Sequence, residues 1–391
     1  MSTVSPAVMQ DADSDVTLPR YRIAVEIYVV GTLCALGIAG NLLSIVVLGR
    51  DHTTRRTTGF MLQMLAVADV VYLISCLFYQ TINCAVKWTD WLPPAVHRGW
   101  PFVEVYAWPT ASVAQTATVW LVVVLTVDRY IAICHPLHAA EYSTMSRVRR
   151  AVATVWILAA AYNLPRFFER VVDADVAVNS TSPTVVTSSP GDDTITSRDG
   201  RGRGVMVQRT AMRDNAVYVL VYKTCLFFVV RFLIPFAALA FFNQRLIRAI
   251  RASDQIREQS ARYSGGHSKE LQKMRTLLVV VVVVVFVVCE LPDLILRAWM
   301  ALNRYAPDRV PFPRRRLLYV NIASNLLLTV NSSINFVIYC FMGRRFRLIL
   351  LQMIGCQMSG RSTPITRGSR RARTMETAGM NRRLFRRKQT V

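Results

Sequence analysis

Few charged residues fall inside the apolar stretches of this chain, and their types suggest ion pairing rather than catalysis. Asp128-Arg129-Tyr130 closes one long apolar run just before a basic segment, while Asp69, Arg231, Glu290, Asp293 and Arg297 lie within others. A guanidinium or carboxylate in lipid is expensive and calls for a partner or a role. Glu290 and Asp293, three residues apart, occupy neighbouring faces of one helix, and Pro292 beside them frees a backbone carbonyl and kinks the rod. Two carboxylates suit an incoming guanidinium, which binds such groups bidentately. The internal alternative pairs Asp293 with Arg297 at i+4 and Glu290 with Arg231. Both pairings are open to the residues alone. No catalytic constellation appears: the five histidines (His52, His97, His135, His138, His267) lie in loops without metal-ligand spacing, and no enzymatic activity is expected.

The elements that must position these groups are membrane spans. The chain has 391 residues, 53% of them hydrophobic and 18% charged. A spanning helix needs roughly 20 mostly apolar residues. Seven runs qualify, near 23–48, 60–83, 101–133, 151–168, 215–243, 276–300 and 317–342. The expected fold is an all-α seven-transmembrane helix bundle over residues 23–342. The net charge of +23 invites a nucleic-acid reading. Its distribution argues against that. With the N-terminus outside, the cytosolic segments carry 27 Lys and Arg against 6 Asp and Glu, whereas the outer segments are near balance. This positive-inside asymmetry puts the N-terminus out and the basic tail against anionic lipid. Residues 1–22 have no apolar core, so the first span itself directs insertion.

Between the spans, the outer loop at about 169–214 is rich in Ser, Thr, Asp and Gly and reads as largely disordered. Asn179-Ser180-Thr181 within it is a glycosylation acceptor, whereas Asn331-Ser332-Ser333 has the same pattern inside a span, where glycosylation is implausible. Residues 343–356 alternate charged and apolar groups, as suits a helix in the membrane interface. Cys356 at its end has the context of a palmitoylation site. Most of the other seven cysteines behave as small apolar groups in or at the ends of spans. Cys84 has no partner in the outer loops. The tail at 357–391 is basic and offers several Ser and Thr to kinases.

With these motifs the chain resembles the rhodopsin-like (class A) G-protein-coupled receptors over roughly residues 23–356. The markers are Gly40-Asn41, Leu65-Ala66-Val67-Ala68-Asp69, Asp128-Arg129-Tyr130, Trp156, Pro235, the run Phe286 to Pro292, and Asn335-Phe336-Val337-Ile338-Tyr339. The stretch Ala114–Leu121 and Ser333-Ile334-Asn335-Phe336 look most like invertebrate FMRFamide-type neuropeptide receptors. The resemblance implies a plasma-membrane receptor whose ligand contacts come from Tyr79, Gln80, Trp108, Ser112, Gln115, Tyr222, Glu290, Asp293, Arg297, Tyr319, Asn321 and Asn325. Activation and G-protein coupling would fall to Asp128, Arg129, Tyr130, Pro136, Leu137, Pro235, Phe286, Pro292, Asn335 and Tyr339. It implies no cofactor beyond a sodium ion held by Asp69, Thr118, Asn331 and Asn335; ordinary interhelical hydrogen bonding is the plainer role for these polar groups. The expected partners are an extracellular amidated peptide, a heterotrimeric G protein, kinases and arrestin at the tail, and the lipid membrane, with no nucleic acid.

Departures from the family pattern are specific. Glu104 stands where the third span usually carries a cysteine bridged to the outer loop, and residues 169–214 contain no cysteine, so the loop is expected to be unstapled. Glu290 replaces the usual tryptophan, Phe336 the usual proline, and Asn243 the fifth-span tyrosine. Gln272 or Thr276 takes the place of the acidic partner of Arg129, which leaves the resting latch weak or absent. Two other classes fit part of the pattern: an orphan or constitutively active receptor, and a transporter using Asp69, Glu290, Asp293 and Arg231. The latter lacks any internal repeat between halves.

Overall fold

An apolar run in lipid must satisfy every backbone polar group internally, and a helix does this within one segment. The computed structural model describes residues 19–51, 56–89, 91–177, 196–198, 203–259, 266–305 and 314–355. In it, seven helices are long and apolar enough to cross a membrane: Pro19–Arg50, Thr57–Trp88, Pro94–Cys134, Met145–Phe168, Ala216–Ala252, Leu277–Asn303 and Arg316–Met342. These are spans 1 to 7, and each covers a run read from the sequence. Several extend past the apolar limits because helix propagation into flanking polar residues adds one hydrogen bond per residue.

Large apolar side chains stay uncovered around the bundle, among them Leu36, Ile157, Leu158 and Phe341, the last 80% exposed. An apolar surface of that kind belongs against lipid. The interior holds polar groups instead, including Asn41, Asp69, Arg231, Glu290 and Asp293, all buried.

Spans 1, 2 and 5 are not uniform α-helices. Wide π-helical turns occupy Ile23–Val30, Leu77–Ile82, Val219–Leu226 and Val229–Leu233. The last has a readable cause. Pro235 lacks an N–H and its ring crowds the carbonyl of residue 231, so the preceding turn opens. Such turns re-aim side chains, and they carry Tyr79, Gln80, Tyr222 and Arg231.

Between spans 4 and 5 lies a small antiparallel sheet of β1 (Arg170–Ala177), β2 (Thr196–Arg198) and β3 (Arg203–Arg209), in the order β1-β3-β2. Arg170 pairs with Arg209 and Ala177 with Arg203, with an irregularity between Asp173 and Val176. The expectation of a disordered loop over 169–214 therefore fails at both ends. Val172 pairs with Val207 there, and β-branched residues favour pairing over the polar composition between the strands. Asn179 and Cys356 lie outside the described residues, as do most of residues 1–22 and all of 357–391.

The helix Arg344–Met353 follows span 7.

Candidate functional site

The buried charges gather at two ends of the bundle. At the end that carries the sheet, Glu290 on span 6 faces Arg231 on span 5 at 3.5 Å and accepts from Gln115 Nε2 on span 3 at 3.4 Å. One turn away, Arg297 Nε donates to Asp293 Oδ2 at 2.8 Å. The internal pairing weighed from the sequence is thus present, with a difference in quality. Asp293–Arg297 is short and local, whereas Glu290–Arg231 is long and joins two spans. Glu290 is 1% exposed, and its Oε2 accepts no hydrogen bond among the described residues; Arg231 Nε donates none. Phe227 lies under both guanidiniums, 4.8 Å from Arg297 and 5.9 Å from Arg231.

Other candidates are distributed around this cluster. Gln80 donates to the Tyr79 hydroxyl at 2.6 Å and to Cys76 Sγ at 3.1 Å. Ser112 is buried and donates to the Trp108 carbonyl. Tyr222 is buried, its hydroxyl donating to the Tyr162 carbonyl at 2.7 Å. Asn325 is half-buried and its carbonyl accepts from Thr329. Tyr319 stacks edge-on against Tyr21, and Asn321 is exposed.

Arg166 is not among the residues the sequence singles out. It is 7% exposed and lies 4.9 Å over Trp108 and 5.7 Å over Tyr222, so it draws two of the candidates together. Cation–π contact of a desolvated guanidinium with tryptophan is the strong form of that interaction. A basic residue ringed by aromatics that are remote in sequence leaves no local signal.

Deeper in the bundle, Asp69 is fully buried and accepts from Asn335 Nδ2 at 2.6 Å. Asn41 donates to the carbonyls of Gly37 and Ser332 at 2.9 and 2.8 Å, tying span 1 to span 7. Gly40 allows that approach: a Cβ there would stand 2.9 Å from the Cβ of Phe336. Among the described residues Asp69 Oδ1 and Thr118 Oγ1 have no hydrogen-bond partner, and Asn331 and Ser332 are buried too. Orphaned buried oxygens of this kind fit a small hard cation, which takes oxygen ligands. Among the described residues no group of three His, Cys, Asp or Glu could hold a transition metal.

At the opposite end Arg129 is 3% exposed and bound to its neighbour Asp128, whose other oxygen accepts from Ser143. Arg129 Nε finds no acceptor among the described residues. The side chains of Gln272 and Thr276 lie outside the described residues, as does that of Leu137. Tyr130 packs on Phe242 at 5.2 Å and shares a 3.1 Å hydrogen bond with His135. Pro136 opens the short helix Pro136–Tyr142. Tyr339 is buried, its hydroxyl without a hydrogen-bond partner among the described residues and its ring 5.7 Å from Phe346. Phe286 connects the two ends, as the last ring of a ladder Phe227–Phe232–Phe236–Phe286 with centroids 5.3, 5.6 and 6.0 Å apart. Pro292 lies inside span 6 about one turn and a half beyond it, and the helix runs unbroken through it.

Residues 28–357 match the family described as serpentine type 7TM GPCR chemoreceptor Srw. The chain is 28% identical over 344 residues to the FMRFamide receptor of Drosophila melanogaster, a match covering 87% of this chain and 56% of that receptor. It is 26% identical over 328 residues to an FMRFamide peptide receptor of Caenorhabditis elegans, covering 82% and 67%. The sex peptide receptor of Drosophila melanogaster is 29% identical over 243 residues, covering 60% and 51%. The chain thus spans just over half the length of the fly FMRFamide receptor.

Proposed function

Since the chain belongs to the serpentine seven-transmembrane G-protein-coupled receptors, we propose that it is a plasma-membrane receptor for an amidated, FMRFamide-like neuropeptide and couples that ligand to a heterotrimeric G protein. The N-terminus faces outward, as the basic segments require. The sheet end is then extracellular and the Arg129 end cytoplasmic. The observation that carries the ligand reading is the incomplete pairing of Glu290. Among the described residues its Oε2 accepts no hydrogen bond, for Arg231 Nη2 approaches that oxygen only to 3.5 Å, yet the carboxylate is buried. A peptide guanidinium supplies the missing donors in a bidentate contact and displaces Arg231. The relatives named for FMRFamide fit this chemistry.

Signalling follows as a population shift, since the ligand binds one arrangement of the bundle better than another. Loss of the Glu290–Arg231 pair uncouples span 6 from span 5, and the two move about the Phe236–Phe286 contact and the prolines Pro235 and Pro292. Arg129, released from Asp128, meets the G protein beside Tyr130, Pro136 and Leu137. Asp69, Thr118, Asn331 and Asn335 would hold a sodium ion, which supplies charge to the buried carboxylate. On the cytoplasmic side, the helix Arg344–Met353 lies in the membrane interface with Cys356 palmitoylated; kinases and arrestin act on the tail. Asn179 carries glycan outside.

The test uses cells expressing the full chain and FMRFamide with related amidated Arg-Phe peptides, read by calcium and cAMP. A dose-dependent response is expected. Silence to every such peptide, with the chain at the surface, rejects the ligand class. High signalling without peptide would instead favour a constitutively active receptor.

A further inference from the structure

The outer loop has no cysteine, yet its root is held at two points by buried charge. Glu104 on span 3 is 4% exposed, and its Oε1 binds Arg170 at 3.3 Å and Lys87 of span 2 at 3.5 Å. Next in the chain from Arg170, Glu169 is 3% exposed and binds Lys223 of span 5 at 3.0 Å. It also accepts from the Tyr218 hydroxyl at 2.9 Å. The other strand is fixed to the same spot, for Thr210 N–H donates to the Glu169 carbonyl and its hydroxyl to the Phe168 carbonyl. Two consecutive residues of opposite charge thus tie β1 to different spans. Between them is a small cleft lined by Glu104, Trp108, Arg166, Glu169 and Arg170.

We propose that Glu104 and Glu169 are positioning residues that clamp the outer sheet to spans 3 and 5 by charge, doing the work for which a disulfide would otherwise be needed. The sequence-based expectation of an unstapled loop is thereby replaced by a staple of another chemistry. Exposed ion pairs contribute little, but these carboxylates are nearly sealed from water, where removing one partner strands the other. The clamp sets the position of Arg166 over Trp108 and so the shape of the pocket mouth. The tether itself does not depend on the peptide reading; its effect on potency does.

Hydrogen exchange on the full chain purified in detergent tests the tether without ligand. In E104Q and in R170Q, amides of 170–177 and 203–209 should exchange about tenfold faster than in wild type, while span amides are unchanged. The double variant should fall short of the two single effects combined, because both singles remove the Glu104–Arg170 pair. Glu104→Asp should fall between wild type and E104Q. Dithiothreitol should leave wild-type exchange unaltered. Should E104Q fail to reach the membrane, R170Q breaks the same pair from the loop side. Wild-type protection of both strands in R170Q, or additive effects in the double variant, would overturn the clamp. With FMRFamide as the probe, E104Q should lose about tenfold in potency and keep the maximal response, as expected for a positioning role. A wild-type chain silent to FMRFamide rejects the peptide reading, and the exchange data still decide the clamp.

Discussion

The two charged ends of the bundle differ in how their pairs are drawn. At the end away from the sheet Arg129 binds Asp128, its neighbour in the chain, so the contact bridges no two spans. At the outer end Glu290 reaches Arg231 across two spans, and Glu104 reaches a loop strand and span 2. A pair within one helix reports nothing about its surroundings, whereas a pair between helices makes their spacing part of its energy. In the proposed reading the sheet end converts a change of charge partner into a change of helix position. In the same reading the opposite end holds a guanidinium on a local contact until a binding partner arrives.

The largest test of this contrast is Arg129→Ala, which should abolish nucleotide exchange on the G protein while surface expression persists. Unchanged signalling would remove the inner end from the account. Glu290→Gln strands the Arg231 guanidinium in the interior and should cost about 3–5 kcal/mol of stability, read as a lower melting temperature in detergent. Combining E290L with R231M should restore most of that loss. If the double variant is as unstable as the sum of its parts, the two spans are not coupled through this pair. Gly40→Ala places a methyl group against Phe336 and should cost roughly 1–3 kcal/mol by overpacking, which measures how tightly spans 1 and 7 are held beside the movable ones. The smallest effect is expected at Asp69. Sodium at about ten times its dissociation constant should stabilise the wild type by roughly 1.4 kcal/mol and Asp69→Asn not at all. Equal stabilisation of both would empty that site of its cation.

The spans were readable from sequence because lipid imposes a length and a composition that no other element meets. Asp293–Arg297 was readable for a similar reason: the i+4 spacing alone places the two groups together. Glu290–Arg231 could be stated only as one of two alternatives, since choosing between an internal and an external cation requires the distance between spans. The hairpin was hidden because the Ser- and Thr-rich middle of the loop outweighed the short valine runs at its ends. Glu104 was visible only as a missing cysteine; its partners Lys87 and Arg170 lie 17 and 66 residues away. The wide turns at Leu77–Ile82 and Val219–Leu226 have no residue signature, because tertiary packing decides where a helix opens.

The contact between a ligand guanidinium and Glu290 is tested most directly by FMRFamide against the same peptide with citrulline in place of arginine. Citrulline keeps the shape and removes the charge. On the wild-type chain the citrulline peptide should be roughly 10- to 100-fold less potent, the worth of a charged hydrogen-bonded contact, and on E290Q the two should be alike. Equal potency of both peptides on the wild type would contradict the account.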